Sequence, residues 1–255
     1  MAKRLPLESS NTEIQNITKN IKLKAVNTNS LKIKIDDLKV FEPLTENQKK
    51  FFEAYKRQDY FVALHGVAGT GKTFCALYKA LEEVLDRNNP FQKIIVVRSA
   101  VQSREIGYLP GDVTNKMEIY QQPYRQICET LFGRKDAWDR LEEQGHIEFI
   151  STSFIRGMSF DSAIIIVDEC QNMNWSEIST VMTRVGYRSK IIWCGDYRQT
   201  DLNKSKNDST GIKQFLTVAK TMESFTHIEF HVEDICRSSL VKDWIIACNN
   251  LNIDV

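Results

Sequence analysis

Residues 66 to 73 read Gly66-Val67-Ala68-Gly69-Thr70-Gly71-Lys72-Thr73. This stretch fits G-x-x-x-x-G-K-[ST], a phosphate-binding loop (P-loop) that needs a strand before it and a helix after it. The apolar run at 60–64 predicts the strand, and apolar residues at helical spacing follow the loop as far as Asn88. We therefore expect the backbone N–H groups to surround phosphate oxygens. Lys72 is expected to reach the β- and γ-phosphates, and Thr73 to ligate Mg²⁺.

The second informative stretch is Ala163-Ile164-Ile165-Ile166-Val167-Asp168-Glu169. An unbroken aliphatic strand that ends in two carboxylates is the Walker B pattern. Asp168 is predicted to hold Mg²⁺, directly or through water, and Glu169 to orient and deprotonate an attacking water. Alternatively, the two acids only end the strand and cap the next helix. Asn174, with Glu177 three residues later, is however a better cap for that helix.

Three further polar residues are candidates for the same site. Gln48 follows Thr45 at capping-box spacing, so it either completes a helix cap or reads the adenine edge of ATP with its amide. Gln199 follows the predicted strand at 190–194 and is a candidate contact for the γ-phosphate. Arg237 precedes the last amphipathic helix.

Apolar strands alternate with helices along the rest of the chain. Strands are predicted at 93–98, 147–150 and 227–230, helices at 112–132 (interrupted at Pro123), 135–144, 174–186 and 211–222, and the start of a hairpin at 153–160. This alternation predicts an α/β fold with a doubly wound, mostly parallel sheet and helices on both faces. Such sheets bind ligands at the carboxyl ends of their strands, where the candidate residues fall.

Composition narrows the class of protein. With 255 residues, 26% of them charged, and a net charge of +1, the chain resembles ordinary globular proteins and neither favours nor excludes nucleic acid. The six cysteines include no C-x-x-C pair, so we expect no zinc site or disulfide framework, and a reduced, cytoplasmic protein. The aliphatic runs are too short for a membrane span, and no signal peptide is predicted.

The first 40 residues differ from the remainder of the chain. They are rich in Asn, Ser, Thr and Lys, with eight basic residues against four acidic ones. We expect a basic, partly disordered tail with edge strands at 21–24 and 31–35, followed by a single ATPase domain over 41–255. The tail is interpreted either as a solvated terminus or as an arm that binds nucleic acid.

Together, these motifs resemble the PhoH-like (phosphate-starvation-inducible) ATPases, which are relatives of superfamily 1 helicases. The resemblance covers about residues 43–245 and rests on the P-loop and the segments 107–112, 156–157, 168–172, 195–199 and 234–238. In these segments, Asp-Glu-x-Gln is similar to helicase motif II and Gly-Asp-x-x-Gln to motif III. The Asn/Lys-rich tail and the compact length resemble a bacteriophage member of the family.

The resemblance implies a RecA-like core that hydrolyses ATP with Mg²⁺, with Lys72, Glu169, Gln199 and Arg237 in catalytic roles. It also implies binding or remodelling of single-stranded RNA or DNA. A homo-oligomeric ring is expected, a hexamer with ATP at its subunit interfaces, in which Arg237 serves its own site or that of a neighbour. The expected location is the cytoplasm of a bacterial or phage-infected cell. The alternative function is a nucleotide-gated regulatory module with slow turnover.

The predicted nucleic-acid face departs from the family's sequence pattern at two places. Arg98 and Arg156 are the candidate contacts with a phosphate backbone. Met158 stands where the family tends to have a second arginine, and Ser99-Ala100 follows Arg98 where Arg-Pro is common. These departures weaken the expectation of nucleic-acid binding relative to that of ATP binding.

Overall fold

A computed structural model of the chain describes residues 32–99, 113–196 and 211–251. Several of the predicted features lie outside the described residues. They are the tail as far as residue 31, the 107–112 segment, and Gln199 with the rest of the loop before residue 211. Within the described ranges, no helix is long and apolar enough to cross a bilayer.

Strands and helices alternate through the described residues. The strands are β1 (Phe61–Gly66), β2 (Lys93–Arg98), β3 (Ile147–Ser151), β4 (Ala163–Asp168), β5 (Lys190–Gly195) and β6 (Phe225–Phe230). The helices are α1 (Glu46–Lys56), α2 (Lys72–Val84), α3 (Val113–Phe132), α4 (Ala137–Glu143), α5 (Trp175–Met182), α6 (Gly211–Ala219) and α7 (Ser239–Asn250). The P-loop therefore joins β1 to α2, as predicted.

These six strands form one sheet in the order β3-β2-β4-β5-β1-β6, and every described pair is parallel. The predicted doubly wound α/β fold is confirmed, with a sheet that is wholly rather than mostly parallel over the described strands. The P-loop strand β1 lies between β5 and β6, and β5 separates it from the Walker B strand β4. This is the arrangement of a RecA-like core, and it brings the carboxyl ends of β1, β4 and β5 to one edge.

Helices cover both faces of the sheet, which explains why the strands are apolar on both sides. One face packs Val62, Leu64 and their neighbours against α1 to α4. The opposite face packs Ala63, Trp193 and their neighbours against α5 and α6. Strands β1, β4 and β5 have six residues each, and all of these residues are buried. The strand ends that carry the candidate site are therefore held by a close-packed core.

Two local predictions are wrong. No hairpin forms at 153–160, because β3 and β4 are not neighbours and β2 lies between them. The described part of the 31–35 segment is not a strand either, since Ile35–Asp37 form a 3-10 turn. The Lys34 N–H donates to the Asp37 carboxylate at 2.9 Å, and this local hydrogen bond favours the turn over an extended strand.

The break expected at Pro123 is also wrong, because α3 continues through it. Tyr124 and Cys128, just beyond the proline, are fully buried, so packing of this face outweighs the one N–H that proline lacks. The folded unit also begins earlier than residue 41. Ile33 and Leu38 are buried in the core, and the Lys39 N–H donates to the Leu131 carbonyl at 2.9 Å.

Candidate nucleotide-binding site

Glycine shapes the P-loop at two points. Gly66 has a φ of +124°, and a Cβ there would lie 1.9 Å from the carbonyl oxygen of Phe230 in β6. Gly71 caps α2 in the left-handed region with a φ of 81°. Because residues with a Cβ rarely adopt these angles, the turn and its close contact with β6 both depend on glycine. The result is a cradle of backbone N–H groups at the N-terminus of α2, which is a phosphate-binding arrangement.

Lys72, the first residue of α2, turns back into the loop. Its Nζ donates to the carbonyl oxygens of Gly66 and Val67, each at 2.8 Å. Burial lowers the pKa of this ammonium from its usual value, and the nearby Asp196 and Glu169 carboxylates oppose that shift. Lys72 is therefore a desolvated cation at the centre of the cradle, where its attraction for an anion is stronger than in water.

The structure brings the two predicted metal ligands into direct contact. The Thr73 hydroxyl donates to Asp168 Oδ1 at 2.7 Å, and the Tyr124 hydroxyl donates to Asp168 Oδ2 at 2.8 Å. Burial raises the pKa of the Asp168 carboxyl, as does the adjacent Glu169, while the hydrogen bonds from Thr73 and Tyr124 lower it. A hydroxyl and a carboxylate are the hard oxygen ligands that Mg²⁺ takes beside a nucleotide, so these residues fit that ion.

Glu169 and Gln171 connect the ends of β4 and β5. Glu169 follows β4 directly, with a φ of 51°, in the left-handed region that is uncommon for a residue with a side chain. The Gln171 amide donates to Glu169 Oε2 at 2.6 Å and accepts from the Asp196 N–H at 3.1 Å. Gln171 thus fixes the predicted catalytic carboxylate relative to Asp196, which follows β5.

Gln48 lies beneath the P-loop. Its side chain is 1% exposed. Nε2 donates to the Thr70 carbonyl at 3.0 Å, and Oε1 accepts from the Leu44 N–H at 2.8 Å. Half of the predicted capping box forms: the Thr45 hydroxyl accepts from the Gln48 N–H at 3.3 Å, but the Gln48 side chain accepts from Leu44 and not from Thr45. These contacts support the loop, and the reading of adenine by Gln48 stays a prediction.

Arg237 lies beside the P-loop of its own chain. The N–H of the preceding Cys236 donates to the Gly69 carbonyl at 3.0 Å. A Cβ at Gly69 would lie 3.1 Å from Arg237 Cγ, so the arginine side chain passes over the loop. Ile245 of α7 packs with Val67 under this segment. The structure therefore places Arg237 where it can reach the site within one chain.

These residues line a cleft of about 690 Å³ at the carboxyl edge of the sheet. Most of the predicted site residues border it, together with nine that the sequence did not predict for this site, among them Arg98, Gln171, Gly195 and Asp196. Arg98 lines the cleft and is partly buried, with its guanidinium 5.5 Å from the centre of the Tyr120 ring. Its expected contact with nucleic acid stays a prediction.

Gln171 and Tyr124 are two site contacts that the sequence did not predict, and they differ in whether the sequence carried a signal for them. Gln171 lies two residues after Glu169 in a recognisable motif, so its spacing was available as a signal. Tyr124 is one aromatic residue in a helical pattern, 44 positions from the Asp168 that it contacts. No pattern in the sequence around Tyr124 indicates this contact.

A parallel sheet with a P-loop after β1 and a paired carboxylate after β4 defines the class: the chain has the fold and site of a P-loop ATPase. It belongs to the PhoH-like protein family, whose profile matches residues 40–249. The family predicted from the motifs is thereby confirmed.

Relatives in other organisms agree with this assignment. The chain is 36% identical over 213 residues to a PhoH-like protein of Bacillus subtilis, covering 82% of this chain and 64% of the relative. It is 34% identical over 200 residues to a PhoH-like protein of Synechocystis, covering 78% and 59%. The chain therefore spans about three fifths of the length of these relatives.

The SWI2/SNF2 ATPase core of Sulfolobus solfataricus, solved with dsDNA, is 12% identical with a TM-score of 0.44, over 75% of this chain and 46% of that one.

Proposed function

We propose that this chain hydrolyses ATP in a Mg²⁺-dependent reaction and couples the cycle to binding or remodelling of single-stranded RNA or DNA. The observation that carries the hydrolysis proposal is the 2.7 Å contact between Thr73 and Asp168. It joins the P-loop to the Walker B strand, with Glu169 as the next residue. P-loop NTPases hold Mg²⁺ with this pair of side chains.

The predicted site residues have separate roles in the proposed reaction. The P-loop backbone and Lys72 bind the β- and γ-phosphates. Thr73 and Asp168 would hold Mg²⁺, which would neutralise the phosphate charge. Glu169 orients the attacking water and accepts its proton. Arg237, and Gln199 on the basis of sequence alone, contact the γ-phosphate as charge moves onto the leaving group.

A steady-state assay of phosphate release tests this proposal. We expect turnover with ATP and Mg²⁺, and loss of turnover when EDTA replaces the metal. Adding single-stranded RNA or DNA is expected to raise the rate, because a coupled ATPase works fastest on its partner. Absence of hydrolysis under all these conditions, combined with tight ATP binding, would favour the alternative, a nucleotide-gated regulatory module. The Glu169 carboxylate beside Asp168 supports hydrolysis over that alternative.

The nucleic-acid part of the proposal is supported by a surface after β3, which we call the Phe154 surface: Phe154, Arg156 and Trp175. Phe154 is 57% exposed and Trp175 is 39% exposed. Arg156, which lies between them in the sequence, is also exposed. The Thr152 hydroxyl donates to Glu177 Oε1 at 2.6 Å, which holds the turn bearing Phe154 against α5. Exposed aromatic rings and an exposed arginine suit single strands, where bases stack and phosphates pair with cations.

Fluorescence anisotropy with labelled single strands tests the Phe154 surface. Phe154→Ala and Arg156→Ala are expected to weaken binding, and Arg156→Ala also to flatten its salt dependence, since fewer counterions are released. Arg87→Ala is the matched control, because Arg87 is an exposed arginine just after α2, at the amino edge of the sheet. An equal loss in all three variants would contradict the assignment of this surface.

A homo-oligomeric ring, a hexamer, remains part of the proposal. The outer face of α7 offers apolar surface for such assembly, with Leu240 78% exposed, Trp244 66% exposed and Leu251, just after the helix, 69% exposed. Large exposed apolar side chains in one stripe are typical of surfaces that bind another chain. Since Arg237 lies over its own P-loop, we assign it to the ATP site of its own subunit. Sedimentation velocity measures the assembly state.

A further inference from the structure

We infer that Tyr124 is a positioning residue for the metal site: its hydroxyl holds Asp168 Oδ2, so that Oδ1 stays directed at the Thr73 hydroxyl. This inference rests on the proposed function, because it concerns how the Mg²⁺ ligands of that site are held. Tyr124 is neither a P-loop nor a Walker B residue. Its hydroxyl donates to Asp168 and also interacts with Arg98 of the cleft.

The geometry fixes the carboxylate at both of its oxygens. A terminal carboxylate rotates easily, because its last torsion has a broad energy profile. Here Oδ1 accepts from Thr73 at 2.7 Å and Oδ2 accepts from Tyr124 at 2.8 Å. Two hydrogen bonds from two different helices define the plane of the group. The Asp168 side chain is therefore already held in one orientation without a cation.

The tyrosine is itself held rigidly. Its side chain is fully buried, and the centre of its ring lies 6.1 Å from that of Trp138 in α4 and 5.7 Å from that of Phe149 in β3. A phenol is protonated at neutral pH, so the Tyr124 hydroxyl acts as a donor to the Asp168 carboxylate. A fixed ring thus presents a permanent hydrogen-bond donor to the carboxylate.

Asp168 is buried, and a buried carboxylate needs hydrogen-bond partners. The Thr73 and Tyr124 hydroxyls supply two of them, one to each carboxylate oxygen. Partners that orient metal ligands in this way typically change metal affinity by about 10–100-fold when they are removed.

The test measures the Mg²⁺ dependence of nucleotide binding, without relying on turnover. A fluorescent ATP analogue is titrated into the full chain with EDTA and over a series of Mg²⁺ concentrations. In Tyr124→Phe, we expect the Mg²⁺ concentration for half-maximal enhancement of binding to rise by about 10–100-fold, with little change of the affinity in EDTA. The variant removes one oxygen and keeps the ring between Trp138 and Phe149, and a melt without ligand checks its folding.

Tyr78→Phe is the matched control. Tyr78 is also buried, and its hydroxyl accepts a hydrogen bond from the Phe41 N–H at 3.3 Å, so the same atom is removed and a hydrogen bond is lost elsewhere. This variant is expected to respond to Mg²⁺ as wild type does.

The outcomes separate this inference from the proposed function. An unchanged Mg²⁺ half-point in Tyr124→Phe, with the response abolished in Asp168→Asn, would overturn the inference and leave the proposed function standing. The same holds if Tyr124→Phe only lowers the melting temperature, since that is a purely structural effect. A wild-type protein that binds the analogue equally with Mg²⁺ and with EDTA would overturn both.

Discussion

Glu169 and Lys72 show how neighbouring residues of one cleft divide the proposed chemistry. Lys72 donates into the P-loop, so it belongs to binding as well as to catalysis. Glu169 is held by Gln171 from the side of β5 and contacts none of the P-loop carbonyls described. A change at each residue should therefore affect different steps.

We predict that Glu169→Gln keeps ATP binding but loses about 10²–10⁴ in turnover, because the amide cannot accept the proton of the attacking water. Lys72→Ala is expected to lose turnover and to bind ATP more weakly, since a desolvated cation is removed from the phosphate cradle. Affinity from a fluorescent analogue and the single-turnover rate measure the two steps separately. Hydrolysis at the wild-type rate in Glu169→Gln would show that another group activates the water.

Gln48 allows a test of base selection against loop support. We predict that Gln48→Ala weakens binding of both ATP and GTP, because the Thr70 carbonyl and the Leu44 N–H each lose a buried partner. If the amide also reads adenine, the preference for ATP over GTP falls by about 0.5–1.5 kcal/mol. The two affinities, measured side by side, decide the point, and an unchanged ratio leaves Gln48 only the support of the loop.

At the scale of elements, the contact between the P-loop and β6 is the most constrained part of the fold. The Val67 N–H donates to the Phe230 carbonyl at 3.1 Å, and β1 pairs with β6 as far as Gly66. The turn must leave the sheet immediately after this pair, which is why residue 66 has no room for a side chain. The Gly66–Phe230 contact thus links the edge strand to the phosphate cradle.

We predict that Gly66→Ala destabilises the protein by more than the ~1–2 kcal/mol that a left-handed conformation alone costs a residue with a Cβ. The added carbon would meet the Phe230 carbonyl at 1.9 Å and displace β6 or the loop. Gly145→Ala is the control, since Gly145 has a φ of +73° and a Cβ added there would meet nothing within 4 Å. Denaturant unfolding compares the two, and equal losses would mean that the close approach adds nothing.

Helix and strand positions were largely predictable because their signals are local. The β1–loop–α2 unit, the strand ending at Asp168 and the Asn174–Glu177 capping box all appear as predicted. The hairpin predicted at 153–160 failed because strand order is not local: β2 is inserted between β3 and β4 by pairing with both. A pattern of apolar residues identifies a strand but does not name its neighbours.

For the whole molecule, the question is whether ATP sites are shared between subunits. We predict that a mixture of Lys72→Ala and Arg237→Ala stays as inactive as either protein alone, even if sedimentation shows a hexamer. The reason is that Arg237 passes over Gly69 of its own chain, so no mixed interface regains both groups. Partial recovery of ATPase activity in the mixture would instead show that Arg237 acts on a neighbouring subunit.

The sequence by itself determined the family, the parallel α/β fold and the strand ends that carry the chemistry. The motifs for these features lie within a few residues, and parallel strands must align their carboxyl ends. Only the tertiary structure decided which groups surround them. Lys190, a charged residue at the start of a strand, is fully buried, with its Nζ 3.0 Å from Glu83 and 3.7 Å from the centre of the Tyr55 ring.

The tertiary structure also decided three contacts of the site: Tyr124 with Asp168, Arg98 with the cleft, and Gln48 with Thr70. Each contact joins elements far apart in the chain and depends on strand order, helix packing and the burial that results. Spacing along the sequence records which residues share an element, whereas a hydrogen bond between elements depends on the packing of the whole core. For that reason the sequence predicted the phosphate cradle and the carboxylate pair, and the folded chain alone decided what holds them in place.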